Sequence, residues 1–115
     1  MKDKEKDKVR IKHIFDAILE IQEYVKRANI EDFSGNSMMK YASIKQLEII
    51  GEASNQISKE TKSKYSYIEW KKIVAMRNAL VHEYFGIDET IIWEIITVDL
   101  PKFKDQITKI LADIK

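Results

Sequence analysis

Eight consecutive residues, Arg77-Asn78-Ala79-Leu80-Val81-His82-Glu83-Tyr84, bring together an arginine, an asparagine, a histidine and a tyrosine. Their side chains cover the roles that a small acid-base site needs. An imidazole, with an unperturbed pKa of ~6.5, exchanges protons around neutral pH. A guanidinium is a permanent cation whose planar donor fork suits an anionic group. A carboxamide positions a neighbour through hydrogen bonds, and a phenol presents a hydroxyl. Singly, each has an ordinary explanation. A helical arginine usually makes a surface ion pair, a lone helical histidine is usually packed or solvated, an asparagine bonds to nearby backbone, and a tyrosine is most often a core aromatic with its hydroxyl at the edge. Only the combination argues for chemistry.

These residues must sit on a helix, and its geometry decides what they can do together. At about 100° per residue, Ile73, Met76 and Leu80 form an apolar edge with Trp70 and Tyr84 beside them. Lys71, Ala75, Asn78 and His82 fall in one line on roughly the opposite side, at spacings of four, three and four. The expectation is a polar groove with a small residue in its floor, bordered by Arg77 and Tyr84, which are seven residues apart and nearly eclipsed. Arg77 and His82, five apart, project roughly 140° from each other, so a straight helix does not aim both at one atom. The arginine's reach, a distorted last turn or a second copy of the chain would each bring them together. A symmetric homodimer, which repeats one surface in self-complementary fashion, is the preferred resolution and places two histidines at one cleft.

The elements that carry this helix read as helical throughout. One proline and three glycines leave long stretches without breakers, and apolar residues recur at three- and four-residue spacing. A first helix is expected from about Asp7 to Arg27, with Ile11, Ile14, Phe15, Ile18, Gln22 and Val25 on one face and His13 off it. Before it, the alternating Lys2 to Lys8 reads as a solvated, frayed lead-in. Asn29 to Asn36 reads as a loop, and Ser37 as the N-cap of a second helix reaching about Lys59. Met39, Ala42, Ile49, Ile50, Ala53 and Ile57 share its expected core face. Tyr41, Ile44 and Leu47 point away, which leaves apolar surface for a second partner, such as another subunit. Gly51, costly in mid-helix by about 1 kcal/mol relative to alanine, marks a close helix crossing. Thr61 to Tyr65 reads as a polar link, and Ser66-Tyr67-Ile68-Glu69 as a capping box starting the third helix. Gly86 ends that helix, and Asp88 caps a fourth carrying Ile91, Ile92, Trp93 and Ile95. Pro101 should kink or restart the chain before the stripe Phe103, Ile107, Ile110, Leu111, Ile114. The sum is an all-α, compact bundle of four to five helices in a single domain, residues 1–115, with 1–7 as its lead-in.

Composition removes whole classes of function. The absence of cysteine excludes disulfides, thiolate metal sites and thiol nucleophiles, and suits a reducing cytoplasm. Apolar runs fall well short of the roughly 20 residues of a membrane span, and the N-terminus lacks the apolar core of a signal peptide. Twenty basic and nineteen acidic residues give a net charge of +1, so any contact with nucleic acid must be local.

The segment from Ile68 to Asp88, with Arg77 followed by His82 four residues between them and by Tyr84 one residue further, resembles the motif region of HepT-like proteins of the HEPN superfamily. Leu47-Glu48-Ile49-Ile50-Gly51-Glu52-Ala53 is similar to that family's second-helix signature, and the helix order agrees from about Lys8 to Ile114. The resemblance implies a toxin of a two-gene toxin-antitoxin system. It would be an RNA endonuclease without metal or cofactor, paired with an MntA-type minimal nucleotidyltransferase antitoxin. By motif position, Arg77 and His82 are its catalytic residues and Asn78 a supporting one. RNA cleavage of this kind needs a general base or acid, for which His82 is suited, and a cation on the phosphate, which Arg77 supplies. Lys71 is added as a further phosphate contact. Tyr84 is the implied acceptor of AMP from the antitoxin, a modification that would block RNA by charge and volume. The alternative is a non-catalytic HEPN helical module that binds nucleotide or a nucleotidyltransferase partner.

Overall fold

In a computed structural model of the chain, residues 2–82 and 88–114 are described. They form α1 (Lys2–Val25), α2 (Ile30–Gly35), α3 (Ser37–Gln56), α4 (Lys59–Lys64), α5 (Trp70–His82), α6 (Glu89–Glu94), a π-helical turn (Ile95–Asp99) and α7 (Leu100–Asp113). No strand occurs among the described residues. Because α6, the π turn and α7 follow without a break, the architecture is four long helical rods with two six-residue helices between them. The all-α bundle expected from periodicity is what the chain forms.

The long α3 is the centre, packed against α1 on one side and α5 on the other, while α1 also packs against α7. Ile11, Ile14, Ile18 and Ile21 of α1 are fully buried against Leu47 and Ile50 of α3 and Phe103, Ile107 and Ile110 of α7. Leu80 and Trp70 close the core from α5, with Ile73 and Met76 packed beside them, as the apolar edge of that helix predicts. The last stripe also holds, with Leu111 at its margin.

The stretch read as an N-terminal lead-in is continuous with α1. The helix already runs from Lys2, and Asp7 is buried. Its carboxylate accepts from Ser58 N (3.0 Å), Ser58 Oγ (2.6 Å) and Thr61 Oγ1 (2.6 Å), so α1 is tied to the first turn of α4. Nothing in the alternating charge pattern distinguishes Asp7 from its solvated neighbours. The expected loop Asn29–Asn36 likewise contains α2, started by a reciprocal cap. Asn29 Oδ1 accepts from Asp32 N, and Asp32 Oδ2 accepts from Asn29 N. The helix exists to bury Phe33, whose ring lies 5.2 Å from that of Trp93. Asn36, rather than Ser37, caps α3 through Met39 N.

On α3 the assignment of faces changes. Ile44 and Leu47 are buried inside this chain, because α3 has two helical neighbours rather than one, and Ile49 is partly exposed instead. Tyr41 does remain open. The second helix ends at Gln56, where Arg10 of α1 donates to the Gln56 carbonyl, and Ser58, read as part of that helix, instead caps α4, which runs on into the stretch read as a polar link. The third helix begins at Trp70, four residues after the expected Ser66 cap. Tyr65 and Ile68 are buried in the connection, and the Trp70 indole N–H donates to the Tyr65 carbonyl. Burying those two side chains outweighs a local capping box.

Asp88 caps α6 as expected, accepting from Thr90 N. Pro101 occupies the first turn of α7, preceded by the π turn in which Leu100 N–H reaches back to Ile95 O. Proline lacks an N–H and crowds the carbonyl four residues back, so one widened turn accommodates it without breaking the rod. The expected helix end at Gly86 lies outside the described residues. Among the described residues, no helix is long and apolar enough to cross a membrane.

Candidate active site

Arg77 sits where α5 crosses α3, and Gly51 is what lets it sit there. A Cβ at Gly51 would overlap the Arg77 Cβ and lie 2.7 Å from its Cγ. The close crossing read from a mid-helix glycine is therefore real, and the residue that fills the space is the arginine. One turn of backbone thus sets the root of the side chain, and two polar groups set its tip. Arg77 Nη2 lies 2.9 Å from Glu52 Oε2, and Nη1 donates to Asn78 Oδ1 at 3.0 Å. The guanidinium is held by two polar groups while the Arg77 side chain keeps 30% of its exposure.

Lys71, Ala75 and Asn78 line one open groove of about 860 Å³ between α5, α4 and the end of α3, as their spacing predicts. Its walls also hold Lys59, Lys62, Lys72, Asn55 and Glu69. His82, the last residue of α5, is exposed and lies one turn beyond Asn78, past the groove's lining. The structure thus joins Arg77 to Asn78, and Asn78 to Lys71 through the groove, but leaves His82 pointing outward with no hydrogen bond among the described residues. Tyr84 lies outside the described residues. Among them, no three His, Cys, Asp or Glu side chains are grouped to hold a metal ion.

Three residues at the candidate site, Glu52, Lys59 and Lys62, were missed from sequence. Glu52 was visible only as part of the Gly51-Glu52 pair on the second helix; its partnership with Arg77 is a contact across 25 residues that no local pattern reveals. Lys59 and Lys62 were hidden because their stretch read as a helix end and a link, which gave them no face.

Comparison with known proteins identifies the family. The chain matches the family described as Ribonuclease HepT-like over residues 14–110, which includes α3, α5 and the Arg77 crossing. The protein named Putative RNase MJ1380 of Methanocaldococcus jannaschii is 39% identical, over 82% of this chain and 86% of its own length. The Probable ribonuclease HepT of Thermococcus cleftensis is 36% identical, over 87% of this chain and 91% of its own. Gamma-glutamylcyclotransferase and putative RNase MJ0434, also of M. jannaschii, is 37% identical over 93% of this chain, which spans about half (48%) of that longer protein. No solved structure matches the chain. With the family match covering α3, α5 and most of the last rod together, the chain belongs to the Ribonuclease HepT-like family, in the HEPN superfamily.

Proposed function

We propose that the protein is an RNA endonuclease that works without a metal ion, as the toxin component of a cytoplasmic toxin-antitoxin system. The observation that carries this reading is the Arg77 guanidinium, anchored by Glu52 and by Asn78, which itself lines an open groove bearing four lysines. Membership of a ribonuclease family supports reading that arginine as a phosphate site. The ribose 2′-hydroxyl gives up its proton to His82, the 2′-oxygen attacks phosphorus, and the bond to the 5′-oxygen breaks as that oxygen takes up a proton. Arg77 stabilises the charge that builds on the phosphorane, Asn78 keeps Arg77 aimed, and Lys71 holds a neighbouring phosphate. A second histidine, from a two-fold partner, supplies the other proton step.

Partner formation is supported by what the single chain leaves open. Arg77 faces α3 while His82 is exposed at the end of α5, and Tyr41 and Ile49 of α3 with Val81 of α5 remain uncovered apolar side chains. AMP transfer to Tyr84 by an MntA-type nucleotidyltransferase would add a bulky, negatively charged group to the motif and switch the enzyme off. The competing reading, a non-catalytic module holding nucleotide phosphates on Arg77 and Lys71, draws on the same groove.

Cleavage of RNA in the presence of a chelator separates them. Arg77→Ala and His82→Ala should each lose on the order of 10²-fold or more in rate, with helical content unchanged by circular dichroism. Unchanged cleavage in both variants would sink the catalytic assignment. A mass gain of one AMP on Tyr84, after incubation with the nucleotidyltransferase and ATP, tests the modification.

A further inference from the structure

The groove carries more charge than the site at its end requires. Lys59, Lys62, Lys71 and Lys72 face a single acid, Glu69, so its walls hold a formal +3 in a chain whose net charge is +1. None of these four lysines belongs to an ion pair among the described residues, where the salt bridges engage Lys26, Lys40, Lys45 and Arg77 instead. Unneutralised cations gathered along one channel are the footprint of a polyanion backbone. The wall that bears Lys59 and Lys62 is also fixed in place, since the buried Asp7 carboxylate holds the Ser58 and Thr61 side chains at the start of α4. Along α5, the axial rise from Lys71 to His82 is about 16 Å, room for more than one nucleotide. Beside the groove, between its lining residues Ser66 and Ile68, Tyr67 is 54% exposed and rests edge-on against Tyr65, an available stacking face.

Resting on the ribonuclease reading above, we propose that the α4–α5 groove is the substrate track: it holds the phosphates of a single-stranded RNA segment on one side of the scissile bond, with Lys59 and Lys62 of α4 opposite Lys71 of α5. The strand leaves the groove at Asn78, where Arg77 takes the phosphate to be cleaved. Neutral Asn55, Ser63 and Ser66 give the walls hydrogen-bonding groups without base-reading order, so the track contributes affinity rather than sequence preference.

The test measures binding of a short, labelled single-stranded RNA by fluorescence anisotropy across a salt series, in a His82→Ala background that prevents turnover. Replacing Lys59 and Lys62 together by glutamine should weaken binding on the order of tenfold at low salt and reduce the slope of log K against log salt by about 1.4, roughly 0.7 for each phosphate no longer neutralised. Glu69→Gln, which removes the one acid, should tighten binding and leaves no folding ambiguity, because a gain cannot come from unfolding. An unchanged slope in the double variant, or displacement of RNA by polyglutamate as effective as by unlabelled RNA, overturns the track. If the slope falls as stated while the wild-type protein cuts no RNA, the track stands and the nuclease reading fails; cleavage with an unaltered slope has the opposite meaning.

Discussion

Glu52 and Arg77 are both partly exposed, with side-chain exposures of 46% and 30%, and a pair so placed contributes only about 0 to 1 kcal/mol to folding. Its use is orientation. Arginine carries considerable rotamer freedom, and one carboxylate plus the Asn78 carbonyl restrict it to a single direction. Glu52→Gln should therefore leave the urea midpoint almost unmoved while splitting the kinetic constants. KM for RNA should fall, because a negative charge beside the proposed phosphate site is gone, and kcat should fall, because the guanidinium is no longer held. Equal loss of stability and activity would show that the pair is structural. Asn78 is adjacent to Arg77 in sequence, so a contact between them lay within the motif, whereas Glu52 needed the fold to bring α3 under α5.

At the scale of elements, the crossing of α3 and α5 depends on a missing methyl group. Gly51→Ala places a carbon on top of the Arg77 Cβ, where the obstacle is the root of a side chain and the neighbouring helix rather than a flexible tip. The helices must separate, at a cost of about 1 to 3 kcal/mol for an overpacked contact, despite alanine's better helix propensity. Denaturant unfolding reads this directly, and cleavage should drop further than stability alone accounts for. A stabilised Gly51→Ala variant would contradict the crossing. The short α4 depends on a different device. Asp7→Ala leaves the part-buried Ser58 and Thr61 hydroxyls and the Ser58 N–H without their shared acceptor, a loss on the order of 1 kcal/mol or more. Since α4 carries Lys59 and Lys62, the same variant should also weaken RNA binding, as followed by anisotropy, without any groove residue having been touched.

Across the whole molecule, two contacts between distant parts of the chain titrate in the same direction. Tyr65 is pushed above the usual tyrosine range by burial, and by its bond to Asp113 at the end of α7. The hydrogen bond to Glu89 raises Lys40, which links α3 to α6. The folded chain holds both protons more tightly than the unfolded one, so the stability they contribute is complete below about pH 10, the ordinary range of both groups, and declines as pH rises through the raised values. Denaturation midpoints measured from pH 8 to strongly alkaline solution should fall above that point, and Tyr65→Phe should flatten the decline. A midpoint that stayed level there in the wild-type protein would show that neither contact contributes. The composite site has its own test at this scale. If Arg77 and His82 act across a two-fold axis, mixing Arg77→Ala with His82→Ala protomers should restore cleavage, whereas a site built within one chain stays inactive.

What the sequence by itself determined follows from short-range periodicity. The apolar spacing made the chain all-helical, the apolar edge of α5 and the stripe of α7 were read correctly, Asp88 was recognised as a cap, and Lys71, Ala75 and Asn78 fell along one groove. Each of these depends on residues within a turn or two of one another. Tertiary structure decided the rest, because each remaining feature is a contact between segments far apart in sequence. Asp7 is buried only because Ser58 and Thr61 arrive to donate to it, and Ile44 and Leu47 are core only because α3 has helices on two sides. The reactive-looking arginine of the opening motif is likewise fixed by Gly51 and Glu52 of another helix. Its residue type was legible from the start; its direction was set by the crossing.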